Sequence, residues 1–116
     1  MATTTAKRLA DSQQLTASAA AVVTNAAVHD TIITHITLYN PNDDRGYLVT
    51  LWRVPDSGGA VGTAADANEV LEVTVDRHET KNIPVYWVLE DTNDTLQGKA
   101  ETNAKINISV DGYDIA

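Results

Sequence analysis

The stretch DTIITHITLYNPNDDRGYLVTLWRV, residues 30–54, decides the fold class. Apolar and polar residues alternate with a period of two through DTIITHITLYN (30–40), where Ile32, Ile36 and Leu38 share one face with Thr34 between them. That period belongs to a half-buried β-strand, because successive side chains of a strand point to opposite faces. PNDD (41–44) then breaks the pattern with residues that fix φ or hydrogen-bond their own backbone. GYLVTLWRV (46–54) starts again, apolar on both faces, with Tyr47, Val49 and Leu51 preferred inward. Two strands joined by a turn are the unit from which the rest can be read.

Working outward, the same grammar repeats. VLEVTV (70–75) sends Leu71, Val73 and Val75 to one side, DTLQGKAE (94–101) offers Leu96, Gly98 and Ala100, and KINISVDGYDI (105–115) offers Ile106, Ile108 and Val110. IPVYWVL (83–89) is a further strand, and its Pro84 places it at a strand start or a sheet edge, since proline cannot donate to a ladder. PDSGG (55–59), DRHET (76–80), EDTND (90–94) and TNA (102–104) punctuate these runs. The spacing predicts an all-β, antiparallel sandwich of Ig-like or jelly-roll-like type. Upstream the pattern weakens: residues 14–24 read as a first strand, and residues 1–13 carry too little apolar content to pack alone, so they read as an extended N-terminal arm preceding a sandwich domain of 14–116.

Composition bounds the partners. With 116 residues the chain supports one core, built from Ala, Val, Ile and Leu with no Phe. Sixteen acidic against eight basic residues give a net charge of −8, which repels phosphate backbones and anionic lipid, so neither nucleic acid nor membrane is expected as a partner. Without cysteine, thiolate catalysis and Cys-based metal sites are excluded. No apolar run approaches the roughly 18 residues of a membrane span. MATTTAKRLADSQQL (1–15) is polar where a signal peptide would be apolar, so secretory export is not expected.

The passage richest in possible chemistry is PDSGGAVGTAAD (55–66). Gly58, Gly59 and Gly62 match neither phosphate-loop nor dinucleotide spacing, the next element reads as strand rather than helix, and Asp56, Asp66 and Glu69 would repel a phosphate. Those acidic residues, or Glu90, Asp91, Asn93 and Asp94, could supply oxygen ligands to calcium, but neither set has the spacing of a calcium loop, and acidic turns suit a −8 surface. His29, His35 and His78 lie far apart in sequence, with His35 expected to point outward, and Ser12, Ser18, Ser57 and Ser109 occupy no nucleophile elbow. The expectation is a protein that is not an enzyme and needs no cofactor or metal. Tyr39, Trp52, Tyr86, Trp87 and Tyr113 read as core or interface residues before they read as a sugar-stacking platform, and Trp52 is expected to face outward as an interface anchor.

Four segments together carry a resemblance: AKRLADSQQLTASAA (6–20), TIITHITLYNPN (31–42), LVTLWRVPDSGGAVGTAADANEVL (48–71) and ETKNIPVYWVLEDTNDTLQGKAETNAKINISVDGYDI (79–115). Across nearly the whole chain this resembles a group of small tailed-bacteriophage virion proteins, with an Ala-Lys-Arg-Leu-like arm, a Val-Pro-x-Ser/Gly-Gly unit, an Asp-Thr-Leu-Gln-x-Lys-Ala unit and a closing Val-x-Gly-Tyr-like strand. Where the group's pattern has Gly before Asp-Thr, this chain has Asn93, a residue that also tolerates positive φ. The resemblance implies a virion structural component, foremost a capsid decoration (cement) protein that binds the major capsid protein at a local symmetry axis as a homotrimer. It implies an alternative as well, a head-fibre or tail-associated module that binds a receptor or glycan. It implies no catalytic residues; Lys7, Arg8 and Leu9 of the arm, with Trp52 and Trp87, are the expected contacts with capsid or neighbouring subunits.

Overall fold

The computed structural model describes residues 3–116. Among them are eight strands: β1 (Thr4–Gln14), β2 (Ala20–Thr24), β3 (Asp30–Tyr39), β4 (Tyr47–Val54), β5 (Glu69–Val75), β6 (Thr80–Leu89), β7 (Thr95–Ala100) and β8 (Asn107–Ile115). They form two four-stranded sheets, β1-β8-β3-β6 (sheet A) and β2-β7-β4-β5 (sheet B), and every pairing is antiparallel. The protein is an all-β sandwich.

The pairing resolves which sandwich. β4 pairs β5, β3 pairs β6, β2 pairs β7 and β1 pairs β8, so the chain is one long hairpin wound into two sheets. Each level of that hairpin joins inward-facing residues: Leu51 opposite Leu71, Ile36 opposite Ile83, Val23 opposite Leu96, and Ala10 opposite Val110. Eight strands nested in this order make a jelly roll rather than an immunoglobulin arrangement. The loop of residues 55–68, between β4 and β5, is the tip of the hairpin.

The core is aliphatic. Ile33, Ile36 and Leu38 of β3, Val49 and Leu51 of β4, and Leu96 of β7 have no solvent exposure, and Tyr47, Val75, Ile106, Ile108 and Val110 join them. Burying each such side chain stabilises the fold by about 1.5–3 kcal/mol. The inward faces expected for β4, β5, β7 and β8 are the observed ones. In β3 the expectation is corrected in one position: Ile33, not Ile32, faces the core. A β-bulge between Ile33 and His35 adds a residue on β3 relative to β8, and one extra residue inverts every side chain on one side of it. The bulge also explains Gly112. It brings the Ile32 carbonyl so close to β8 that a Cβ at position 112 would overlap the oxygen.

The N-terminal expectation is also corrected. Residues 4–14 do not stand clear of the sandwich; they are extended, and they are its edge strand, paired with β8 from Thr4–Ile115 to Gln14–Asn107. Residues 1 and 2 of the expected arm lie outside the described residues. The polar composition was misleading because this strand is held by main-chain hydrogen bonds and needs only Ala10, with Leu9 beside it, to reach the core. The single strand expected over 14–24 is two elements. Leu15, 3% exposed, donates its amide to the Ile106 carbonyl where the chain leaves sheet A, and β2 then begins in sheet B.

Two buried asparagines close the ends of the sandwich. Asn40 donates from Nδ2 to the carbonyls of Arg45 and Val75 and accepts at Oδ1 from the Asn42 amide, tying the PNDD turn to β5. Asn25 donates to the carbonyls of His29 and Asp91 and accepts from the Thr31 hydroxyl at 2.7 Å. Both satisfy chain that would otherwise leave buried carbonyls unpaired.

Candidate contact surfaces

At the hairpin tip, Gly58 and Gly59 both have positive φ, 62° and 90°, and the Ser57 and Ala60 main chains bond each other across them. Glycine adopts two such conformations in succession at no steric cost, which accounts for the Gly-Gly pair. The tip is tethered rather than free. Asn93 donates from Nδ2 to the Gly59 carbonyl, Gln97 donates to the Gly62 carbonyl, and the Asp56 amide donates to Asp94. Asn93 holds φ 73°, so it occupies the left-handed position that its sequence context demanded.

The acidic turns are built as main-chain caps. The Asp94 carboxylate accepts from the amides of Asp56, Glu90 and Asp91, and Asp56 accepts from Gly59. Among the described residues no three His, Asp or Glu side chains come together as a metal-binding group. The histidines are likewise dispersed: His29 Nδ1 meets Asp114 at 2.9 Å, His78 Nε2 meets Asp43 at 2.7 Å, and His35 is exposed beside Thr34. No two of them share a partner.

The five expected contact residues separate into two groups. Lys7 and Arg8 are exposed on β1 with Leu9 half-buried beside them, as a contact role requires. Arg8 lies 3.8 Å from Asp111 and 3.6 Å from Asp11, both pairs open to solvent and therefore worth little to stability. Trp52 and Trp87 are not exposed anchors. Trp52 does stand on the outer side of sheet B, but it is only 8% exposed, between Glu69 of β5 and Gln97 of β7, with the Lys99 ammonium 5.9 Å from its ring centroid. Trp87 is opposite Ile33 and packs against the core.

The exposed apolar surface lies elsewhere. On the outer side of sheet A a row runs across all four strands through Ala6, Tyr113, Ile32 and Val88. Tyr113 is 41% and the nearby Tyr86 67% exposed. The sequence held a signal for this: with Leu89 inward, alternation along β6 turns Tyr86 outward, provided the phase is anchored at the strand's end.

β1 adds an unsatisfied edge. Thr3 and Ala116 exchange both main-chain hydrogen bonds, so by alternation Thr5 and Lys7 bond β8 while Thr4, Ala6 and Arg8 direct their amides and carbonyls away from it. The register is regular from Thr4 to Arg8 and broken by bulges beyond. No strand covers that side among the described residues.

Electrostatics concentrate at the other sheet. Glu101 accepts from the Leu48 amide at 2.9 Å and from Arg45 at 3.0 Å, and these bonds, the amide first, hold its carboxyl below its ordinary value. The Arg45 guanidinium stacks 4.3 Å from the Tyr47 ring centroid, and the Tyr47 hydroxyl donates to Asp44, lowering the acid's pKa and raising the phenol's.

No family model and no curated protein matches the chain. Among solved structures it is similar to the crystal structure of the infectious bursal disease virus VP2 subviral particle, with a TM-score of 0.39 and 11% sequence identity over 98% of this chain. The chain spans 32% of that chain's length, and a likeness of this degree is not carried over to function.

Proposed function

We propose that this protein is a virion structural component of a tailed bacteriophage, a capsid decoration protein that binds the major capsid protein at the head surface and acts as a homotrimer. The observation that carries the reading is the open edge of β1. Thr4, Ala6 and Arg8 present a regular row of unpaired amides and carbonyls, flanked by the cations Lys7 and Arg8. The bulges that interrupt β1 begin only after Arg8, so Thr4–Arg8 keeps a regular stretch of edge on which strand addition would supply main-chain affinity, with register set by alternate side chains. The jelly roll is a fold of viral shells and also of lectins, so the fold supports the reading only by analogy. The rival reading, a receptor- or glycan-binding fibre or tail module, would rest on the exposed Tyr86 and Tyr113, since Trp52 is buried and Trp87 packs against the core.

Deleting residues 2–13 would strip a strand from sheet A and expose β8, confusing docking with folding. Ala6→Pro is cleaner: it removes an amide that faces away from β8, and an edge strand tolerates proline there. The variant is expected to melt close to the parent yet fail to load onto undecorated capsids in a sedimentation assay. Full loading by a well-folded Ala6→Pro protein would refute docking through the β1 edge.

A further inference from the structure

The outer side of sheet B holds a pocket of about 330 Å³ that the docking edge does not use. Its floor is Thr50 and Trp52 of β4, its walls include Asp66, Glu69 and Glu72 on one side and Lys99 with Glu101 on the other. The cross-strand ladder builds it directly, since Thr50 is opposite both Glu72 and Lys99, and Trp52 is opposite Glu69. Two features mark it as more than a cluster of acids. Thr50 and Trp52 are only 4% and 8% exposed, and neither the hydroxyl nor the indole N–H finds a hydrogen-bond partner within the described residues. Yet no side-chain polar atom is both fully buried and unpartnered. Each of these polar atoms therefore keeps some access to solvent, and both residues line the pocket.

The second feature is charge without compensation. Asp66, Glu69 and Glu72 take part in none of the ion pairs among the described residues, and Glu101 is already engaged with Arg45. Lys99 is the one cation in the lining and lies toward the Trp52 ring rather than in an ion pair with a carboxylate. We propose that this pocket receives a cationic side chain, guanidinium or ammonium, from a partner polypeptide. Asp66, Glu69 and Glu72 supply the acceptors, the Thr50 hydroxyl accepts a further N–H, and the largely buried floor of Thr50 and Trp52 limits water around these bonds and so strengthens them. A carboxylate or phosphate ligand would meet three like charges, and a neutral sugar would leave those charges unpaired.

With two tryptophans in the chain, the two indole N–H cross-peaks in a ¹H–¹⁵N spectrum of the intact protein report on the site, Trp87 serving as the internal reference. Titration with N-acetyl-arginine-amide is expected to move the Trp52 peak saturably and leave Trp87 still, with N-acetyl-lysine-amide acting in the same direction. The isosteric but uncharged N-acetyl-citrulline-amide and the neutral sugar maltose are expected to do nothing. Glu69→Gln with Glu72→Gln should weaken arginine binding at least about tenfold, the scale of a lost charge-assisted hydrogen bond, with both indole peaks otherwise in place. An equal response to citrulline, a response to maltose alone, a still Trp52 peak, or undiminished affinity in the double variant would each overturn the assignment. The outcome is independent of capsid loading, so it can fail while the decoration reading stands, and the reverse.

Discussion

The outer surfaces of the two sheets are built from the same alternating grammar and end up opposite in character. Sheet B covers its aromatic residue: Trp52 is 8% exposed, beneath a rim of carboxylates and beside a hairpin tip bonded down to β7 and the 90–94 turn. Sheet A leaves its outward aromatics open: Tyr113 stands on an apolar row on β8, next to the open edge strand β1, and Tyr86 on β6 at the opposite side of the sheet. Strand alternation decides only which side of a sheet a residue takes. Whether that side meets solvent depends on what the connections do, and here the longest connection among the described residues, 55–68, is bonded down to β7 and the 90–94 turn on the sheet B side.

The largest effect that tests this contrast is removal of an aromatic from each side. Trp52→Ala should cost about 3–5 kcal/mol in denaturant unfolding, as for a buried ring, whereas Tyr86→Ala should cost less than about 0.5 kcal/mol. Equal losses would break the distinction between a covered and an open face. Next comes the bulge that sets the phase of sheet A: Gly112→Ala should lose about 3 kcal/mol or more, because the new Cβ meets backbone that cannot turn aside. Asn25→Ala should lose about 2 kcal/mol, leaving the Thr31 hydroxyl and the His29 and Asp91 carbonyls unpaired at the end where the tip is anchored.

The pH response is smaller and belongs to the sheet B side. Glu101, Glu79 and Asp44 all have carboxyls held low, the first two chiefly by main-chain amides and the third by the Tyr47 hydroxyl. A depressed carboxyl stabilises the fold above the pKa of the unfolded chain, and that contribution disappears as pH falls through the lower folded value. Thermal midpoints should therefore hold from neutrality to about pH 4.5, the ordinary value for Glu101, and decline below it. Glu101→Gln should show a shallower decline; an identical acid limb in the variant would remove Glu101 from the explanation.

Much of this molecule is legible in its sequence. The inward sets of β4, β5, β7 and β8 follow from period-two alternation between turn signals, because a half-buried strand must separate its apolar residues by parity. Pro84 allowed a strand start or a sheet edge, of which β6 takes the edge, and Asn93 indicated the left-handed turn. Four matters were not legible, and each is non-local. A bulge is invisible in composition yet moves Ile33 into the place expected for Ile32. An edge strand held by main-chain bonds needs no apolar signature, so β1 resembled an arm. The exposure of Trp52 depends on loop residues that meet it only after folding. The pocket over Thr50 and Trp52 is assembled from three strands and a short 3-10 turn, Asp66–Asn68, that no spacing rule connects. Sequence by itself determined the all-β class and most of the core, since burial of alternate side chains is a local constraint. The jelly-roll winding, the open edge and the acidic pocket were decided only by tertiary structure, because pairing across the hairpin and the path of its tip bring together residues that alternation leaves independent.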